Sequence, residues 1–228
     1  MNCGAGGALT RCLYEPSTMK TALRILADGI RPESTNRVPV TVTPTQADVS
    51  IAHTIARYTA PAPEEVARAL TWGADEKVLL LLATAGWIAS RGSGDRLQRA
   101  ANHALLVAAA ASLLPHGLKL LFDQIRPDRR TVLGHVHGVS FSGRREDAFP
   151  SGHALHMGAL ASAASALPAR PRWALQTLAV ALSLTRIVVL AHWASDVVAG
   201  FAVGAILERL LRLWTGYPAV KANDHADS

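Results

Sequence analysis

Aromatic side chains are scarce in this chain: Phe, Trp and Tyr together make up 5% of 228 residues, although half of all residues are hydrophobic. A soluble core is normally filled by large interlocking side chains, so this imbalance points instead to close-packed helices rich in small residues. Cysteine is almost missing as well, with only Cys3 and Cys12 in a glycine-rich start. Two such residues build no disulfide framework and no thiolate metal site. The same start lacks a basic region followed by a continuous apolar stretch, so no secretory leader is expected. Long uncharged runs are wanting too, and each apolar segment taken alone is short or interrupted for a membrane span of roughly 20 residues.

What is present is positive charge. Lys and Arg outnumber Asp and Glu by 23 to 17, a formal net charge of +6. Such a balance suits nucleic acid, an anionic membrane surface or an anionic substrate. The arginines are scattered among short loops without interleaved aromatics, so no nucleic-acid partner is expected. Mean hydropathy is only +0.19, a value pulled down by a polar first third and a polar tail.

Taken in order, residues 1–46 mix Gly, Pro, Thr and charge and are expected to be poorly structured. Residues 47–75 hold two amphipathic helices, one over Ala47–Tyr58 and one beginning at Pro63-Glu64-Glu65, neither apolar enough to cross a bilayer and both expected to lie against the membrane or to cap the helices that follow. From residue 76 to 214 five apolar runs follow one another: Val78–Ser90, Ala100–Leu118, Ala154–Ala169, Trp173–Ala191 and Val197–Leu207. Separated by hairpin-sized loops, they predict an all-α, membrane-embedded bundle of about five core helices, with residues 215–228 as a polar tail. Small residues at Gly158, Ala161, Ser162 and Ser165 on the third helix, and Gly200-x3-Gly204 on the fifth, would let backbones approach closely.

Charged and polar groups gather at the ends of these helices. Lys119 and Arg126 are seven apart and end the second helix, on one face if the helix continues, with Pro127 stopping it. Ser151, Gly152 and His153 begin the third, where free backbone N–H groups form a ready anion site and glycine allows close approach. Arg186 interrupts the apolar stretch LSLTRIVVLA, where an intramembrane arginine costs about 2.5–3.5 kcal/mol and is read as functional by default. His192 lies in the last turns of the same helix, and Asp196 opens the fifth, four residues on, a spacing that lets a carboxylate hold an imidazole in one tautomer. Alternating helix direction puts all of these at one end of the bundle. Three cations, two imidazoles and a carboxylate suit a phosphoryl group in transfer.

The order Lys119-x6-Arg126-Pro127, then Pro150-Ser151-Gly152-His153, then Arg186-x5-His192-x3-Asp196 resembles the three-part signature of the phosphatidic acid phosphatase type 2 superfamily. The resemblance covers roughly residues 76–214. One position departs from the family pattern, Thr185 standing where Ser is usual, and the hydroxyl is kept. The resemblance implies that His192 attacks phosphorus, oriented by Asp196, that His153 protonates the leaving oxygen, and that Lys119, Arg126, Ser151, Gly152 and Arg186 hold the phosphoryl oxygens. A phosphohistidine is then hydrolysed by water, with no metal and no cofactor.

Metal-ligand spacing does occur at His135-x-His137 and His153-x2-His156, but no carboxylate or Cys cluster accompanies it, and His156 would point into an apolar helix. Asp123, Asp128, Glu146 and Asp147 read as solvated loop charges. The leading expectation is therefore an integral, multi-pass membrane phosphatase of the inner membrane acting on a lipid phosphate or an isoprenoid diphosphate. Arginines at the opposite end of the bundle favour an extracytoplasmic site. A soluble acid phosphatase or vanadate-dependent haloperoxidase with the same site is the alternative, and a non-catalytic polytopic anion-binding protein the third, opposed by proton-transfer groups that mere binding does not need.

Overall fold

The computed structural model describes residues 40–58, 61–127 and 148–217. Seven α-helices lie among them: α1 (Gln46–Tyr58), α2 (Pro61–Thr71), α3 (Glu76–Ala89), α4 (Asp95–Leu118), α5 (Gly152–Ala163), α6 (Ala169–Val188) and α7 (Ala194–Thr215). Two short strands, β1 (Val40–Thr41) and β2 (Phe122–Asp123), pair in parallel. The calls on residues 1–39, His135, His137, Asp128, Glu146, Asp147 and the tail beyond 217 lie outside the described residues.

Helix α5 is the axis. Eight of its twelve residues are buried, spread over all its faces, the pattern of a helix enclosed by others. It packs most closely on α7, and the reason is the glycines. A methyl group built at Gly158 would overlap the Phe201 carbonyl, and one at Gly204 or Gly200 would overlap the carbonyls of Leu155 or Ser151. The close approach expected from the small-residue spacing is therefore made between these two helices. Around them, Leu79 of α3 and Ala179 and Leu182 of α6 close a cluster with Met157 and Ala161.

The two N-terminal helices cap the bundle. Along α1, Asp48, Ala52 and Ala56 are buried at a spacing of four, one face of a helix. That face packs on Ala148, Leu190 and Trp193, while Ala67 of α2 packs on Val189 and Ala191. Both helices thus wrap the turn that joins α6 to α7. Asp48 does more than fill space. Thr45 and Asp48 bond reciprocally in a capping box at the start of α1, and the same carboxylate accepts the backbone N–H and the hydroxyl of Ser195, both at 2.8 Å, in the first turn of α7. Burial alone would raise the Asp48 carboxyl, but these hydrogen bonds outweigh it and hold it below the ordinary carboxylate value.

Three boundaries differ from expectation. The second core helix stops at Leu118, well short of Arg126, because the chain leaves it to form β2 beside β1; Lys119 and Arg126 therefore do not share a helix face. Strand β1 itself falls within the stretch expected to lack structure. The fourth core helix ends at Val188, so His192 sits beyond it. There Leu190 adopts a left-handed conformation, φ 52°, and the N–H groups of Leu190 and Ala191 bond back to the carbonyls of Ile187 and Arg186. This is a Schellman closure with leucine where glycine is usual, a conformation disfavoured by about 1–2 kcal/mol that apolar burial of the side chain offsets.

No helix among the described residues is long and apolar enough to cross a membrane. Yet the outer faces of the bundle are greasy: Leu81, Leu113, Val198, Leu213 and Trp214 are all more than two-thirds exposed, and α3, for all its leucines, has no buried residue.

Candidate active site

Because α3, α5 and α7 begin, and α4 and α6 end, at the same end of the bundle, their terminal residues meet there. They line a pocket of about 200 Å³ that takes in Lys119, Arg126, Gly152, His153, Arg186 and His192. Six of the eight residues singled out from the sequence share this wall. Ser151 and Asp196 lie behind it, both fully buried.

The turn after α6 presents His192. Its Nδ1 lies 2.7 Å from the carbonyl oxygen of Ala148. A carbonyl only accepts, so Nδ1 carries the proton and Nε2 keeps a bare lone pair directed away from that anchor. The carboxylate of Asp196 is 3.9 Å from Nδ1, too far for a hydrogen bond, and instead accepts the backbone N–H of Trp193 at 2.9 Å. Asp196 thus fixes the backbone beside the histidine rather than the ring, and the carbonyl of Ala148 takes the orienting role that sequence spacing suggested for Asp196. Trp193 adds a further tie, its indole N–H donating to the Ile125 carbonyl at 2.7 Å, next to Arg126.

Burial, reinforced by the charges of Arg186 and Arg126, holds the His192 imidazole well below the usual histidine value. The ring is therefore neutral through the physiological range. If His192 is the reacting base, the acid limb of kcat/KM set by it falls below pH 6.5. A pH profile of purified protein checks this, and a limb centred above pH 6.5 would contradict it.

Arg186 is 2% exposed, and its Nε is buried without a hydrogen-bond partner among the described residues. A buried guanidinium that faces a cavity without an ion pair is costly unless an anion arrives. Ser151 caps α5 with its side chain, its Oγ 3.4 Å from the Ala154 amide, while Gly152 and His153 in the first turn leave their N–H groups at a helix N-terminus, a favourable place for negative charge. His153 follows on the pocket wall. One turn further, His156 also reaches it, its Nδ1 2.9 Å from the Gly152 carbonyl and its Nε2 3.2 Å from the Ser112 hydroxyl. It was expected in an apolar setting; its spacing of three from His153 was the signal that both share a face.

Sequence reasoning missed Asp75 and Glu76, which also line the pocket. The available signal was the alternation of helix direction, which puts the start of α3 at the same end as the start of α5. It missed the far end as well, where Glu208 is fully buried and bonded by Ser162, His103 and Arg212.

The motif residues all lie within residues 100–218, which match the family model of the PAP2 superfamily. The chain belongs to the PAP2 superfamily. Within it, 96 residues are 40% identical to a lipid A 1-phosphatase of Rhizobium johnstonii, covering 42% of this chain and 39% of that protein. A lipid A 1-phosphatase of Rhizobium etli is 39% identical over 95 residues, 41% of each chain. The match thus spans about two fifths of the length of these relatives. In fold, the PAP2 chain resembles a transmembrane PAP2-type phosphatidylglycerolphosphate phosphatase from Bacillus subtilis, with a TM-score of 0.59 at 23% identity, over 92% of this chain and all of that one. It also resembles Aquifex aeolicus LpxE, with a TM-score of 0.59 at 19% identity, over 73% of this chain and 95% of that one.

Proposed function

We propose that this chain is an integral membrane phosphatase that hydrolyses a lipid phosphate through a phosphohistidine at His192. The observation that carries the reading is the buried Arg186, without an ion pair among the described residues, on the same pocket wall as the bare Nε2 of His192: a cation awaiting an anion beside a neutral nucleophile.

In the proposed reaction Arg186, Arg126, Lys119 and the first-turn amides of α5 hold the equatorial oxygens of the phosphoryl group and spread its charge. His192 Nε2 attacks phosphorus as the bond to the ester oxygen breaks. His153 delivers a proton to that oxygen, and the charge of a bound phosphate dianion is what favours a proton on His153 beforehand. Water then enters in line, gives its proton to His153 and attacks phosphorus, releasing inorganic phosphate and restoring His192. Asp196 keeps the backbone of the turn in place throughout.

Two features support a lipid leaving group. A mostly apolar cavity of about 410 Å³ between α3, α4 and α5 shares His156 with the catalytic pocket, so a tail could continue where the phosphate ends. The exposed apolar faces of the outer helices suit contact with acyl chains. Some of the charges on these helices turn inward, the buried Glu208 pairing with Arg212 and Arg186 lining the pocket, so average hydropathy understates how apolar the outer surface is. Arg91, Arg99, Arg170 and Arg172 gather at the opposite end, which favours an extracytoplasmic site.

The test is phosphate release by detergent-purified protein from a panel of lipid phosphates. Release from at least one is expected, and none from any would refute the reading.

A further inference from the structure

Resting on that reading, we propose that Asp75 and Glu76 make the site selective for phosphomonoesters whose leaving group carries hydroxyl or other donor groups, and turn diphosphates away.

The placement of the two carboxylates is the starting point. Both are half-buried on the pocket wall, whereas Arg186 and His192 are almost fully enclosed and form its floor. Asp75 is held as the N-cap of α3, its Oδ1 accepting the Lys77 amide at 2.9 Å. Glu76 follows it as the first residue of the helix and makes no hydrogen bond or ion pair among the described residues. Neither carboxylate neutralises the cradle by contact. Their field nevertheless reaches it: Asp75 acts on Arg186, and both act on His156.

Direction decides what this field does. In-line displacement puts the leaving oxygen opposite the nucleophile, so a group departing from phosphorus attacked by His192 leaves past His153. His156 lies one helical turn beyond, and Asp75 and Glu76 line the same pocket. Whatever is attached to the scissile oxygen therefore meets two carboxylates. Hydroxyl or ammonium groups would be accepted by them; the second phosphate of a diphosphate would be repelled.

The experiment uses the full chain in detergent, as wild type and as Glu76→Gln, and three substrates: a long-chain alkyl monophosphate, the diphosphate of the same alcohol, and a lysophosphatidic acid with its free hydroxyl. For wild type, the monophosphate is expected to exceed the diphosphate in kcat/KM by about tenfold or more, a preference that narrows as salt rises. In Glu76→Gln the ratio of diphosphate to monophosphate should rise about tenfold, the effect of one removed charge, while preference for the hydroxylated substrate over the alkyl monophosphate falls. Ratios within one protein do not depend on how much of it is folded. Unchanged ratios in the variant, or a wild type that favours the diphosphate, would overturn this selectivity while leaving the phosphatase intact. A wild type inert on all three would overturn the phosphatase reading itself.

Discussion

His192→Ala protein is expected to lose phosphate release by on the order of 10⁴-fold or more, the scale seen when a covalent nucleophile is removed, while keeping its fold and much of its affinity for phosphate. The separation follows from the way the site is divided. His192 supplies the lone pair, through a ring whose other nitrogen is tied to the Ala148 carbonyl. Arg186 and the helix terminus of α5 supply the attraction, and neither depends on the imidazole for its position. A substrate labelled at phosphorus should leave acid-labile, base-stable label on wild type after rapid quenching and none on the variant. Near wild-type turnover in His192→Ala, or label retained at full level, would remove His192 from the role of nucleophile.

The second large effect is on stability. Gly204→Ala and Gly158→Ala are each expected to destabilise the protein by about 3 kcal/mol or more, at the upper end for overpacking, because the atoms a new methyl meets are backbone carbonyls of the facing helix. A side chain could rotate aside; a helical carbonyl cannot without moving the helix. Separating α5 from α7 would also part His153 from the turn that carries His192, so activity should fall more steeply than the folded fraction. Gly86→Ala is the control. It lies inside α3 with open space around it, and there alanine should stabilise by up to about 1 kcal/mol through helix propensity. Denaturant unfolding in detergent compares the three, and equal stability of Gly204→Ala and Gly86→Ala would show that the helices are not in backbone contact.

Much of this arrangement was legible because each core helix carries its own apolar run, and because alternating direction then dictates which ends meet. Arg186 could be singled out because no other charge interrupts its stretch. The parts that could not be read depend on distant partners. Nothing local announces that the chain after Leu118 will pair with Val40, or that α6 will close at a leucine in a left-handed turn, since leucine there is tolerated only through its burial against α1. The spacing of His192 and Asp196 suggested a direct contact because it assumes a continuous helix. The helix ends at Val188, ahead of both, and a new one begins between them at Ala194, so the carboxylate goes to the Trp193 amide. Glu208 and Arg212 look like surface charges in sequence, yet in space Glu208 is fully buried and Arg212 reaches in to pair with it.

The grip of Asp48 on the first turn of α7 bears on where this chain can be cut. Residues 100–218 carry the family match, yet a fragment trimmed to them would lose α1, α2 and α3 together. The amide and hydroxyl of Ser195 would be left without their acceptor, Leu190 and Trp193 would lie open where Ala52 and Ala56 had covered them, and the wall bearing Asp75 and Glu76 would be gone. The proposed reacting residues would all be in the fragment, but what keeps them in register would not, so the boundary of the working module falls at the start of α1, more than fifty residues ahead of the boundary of likeness.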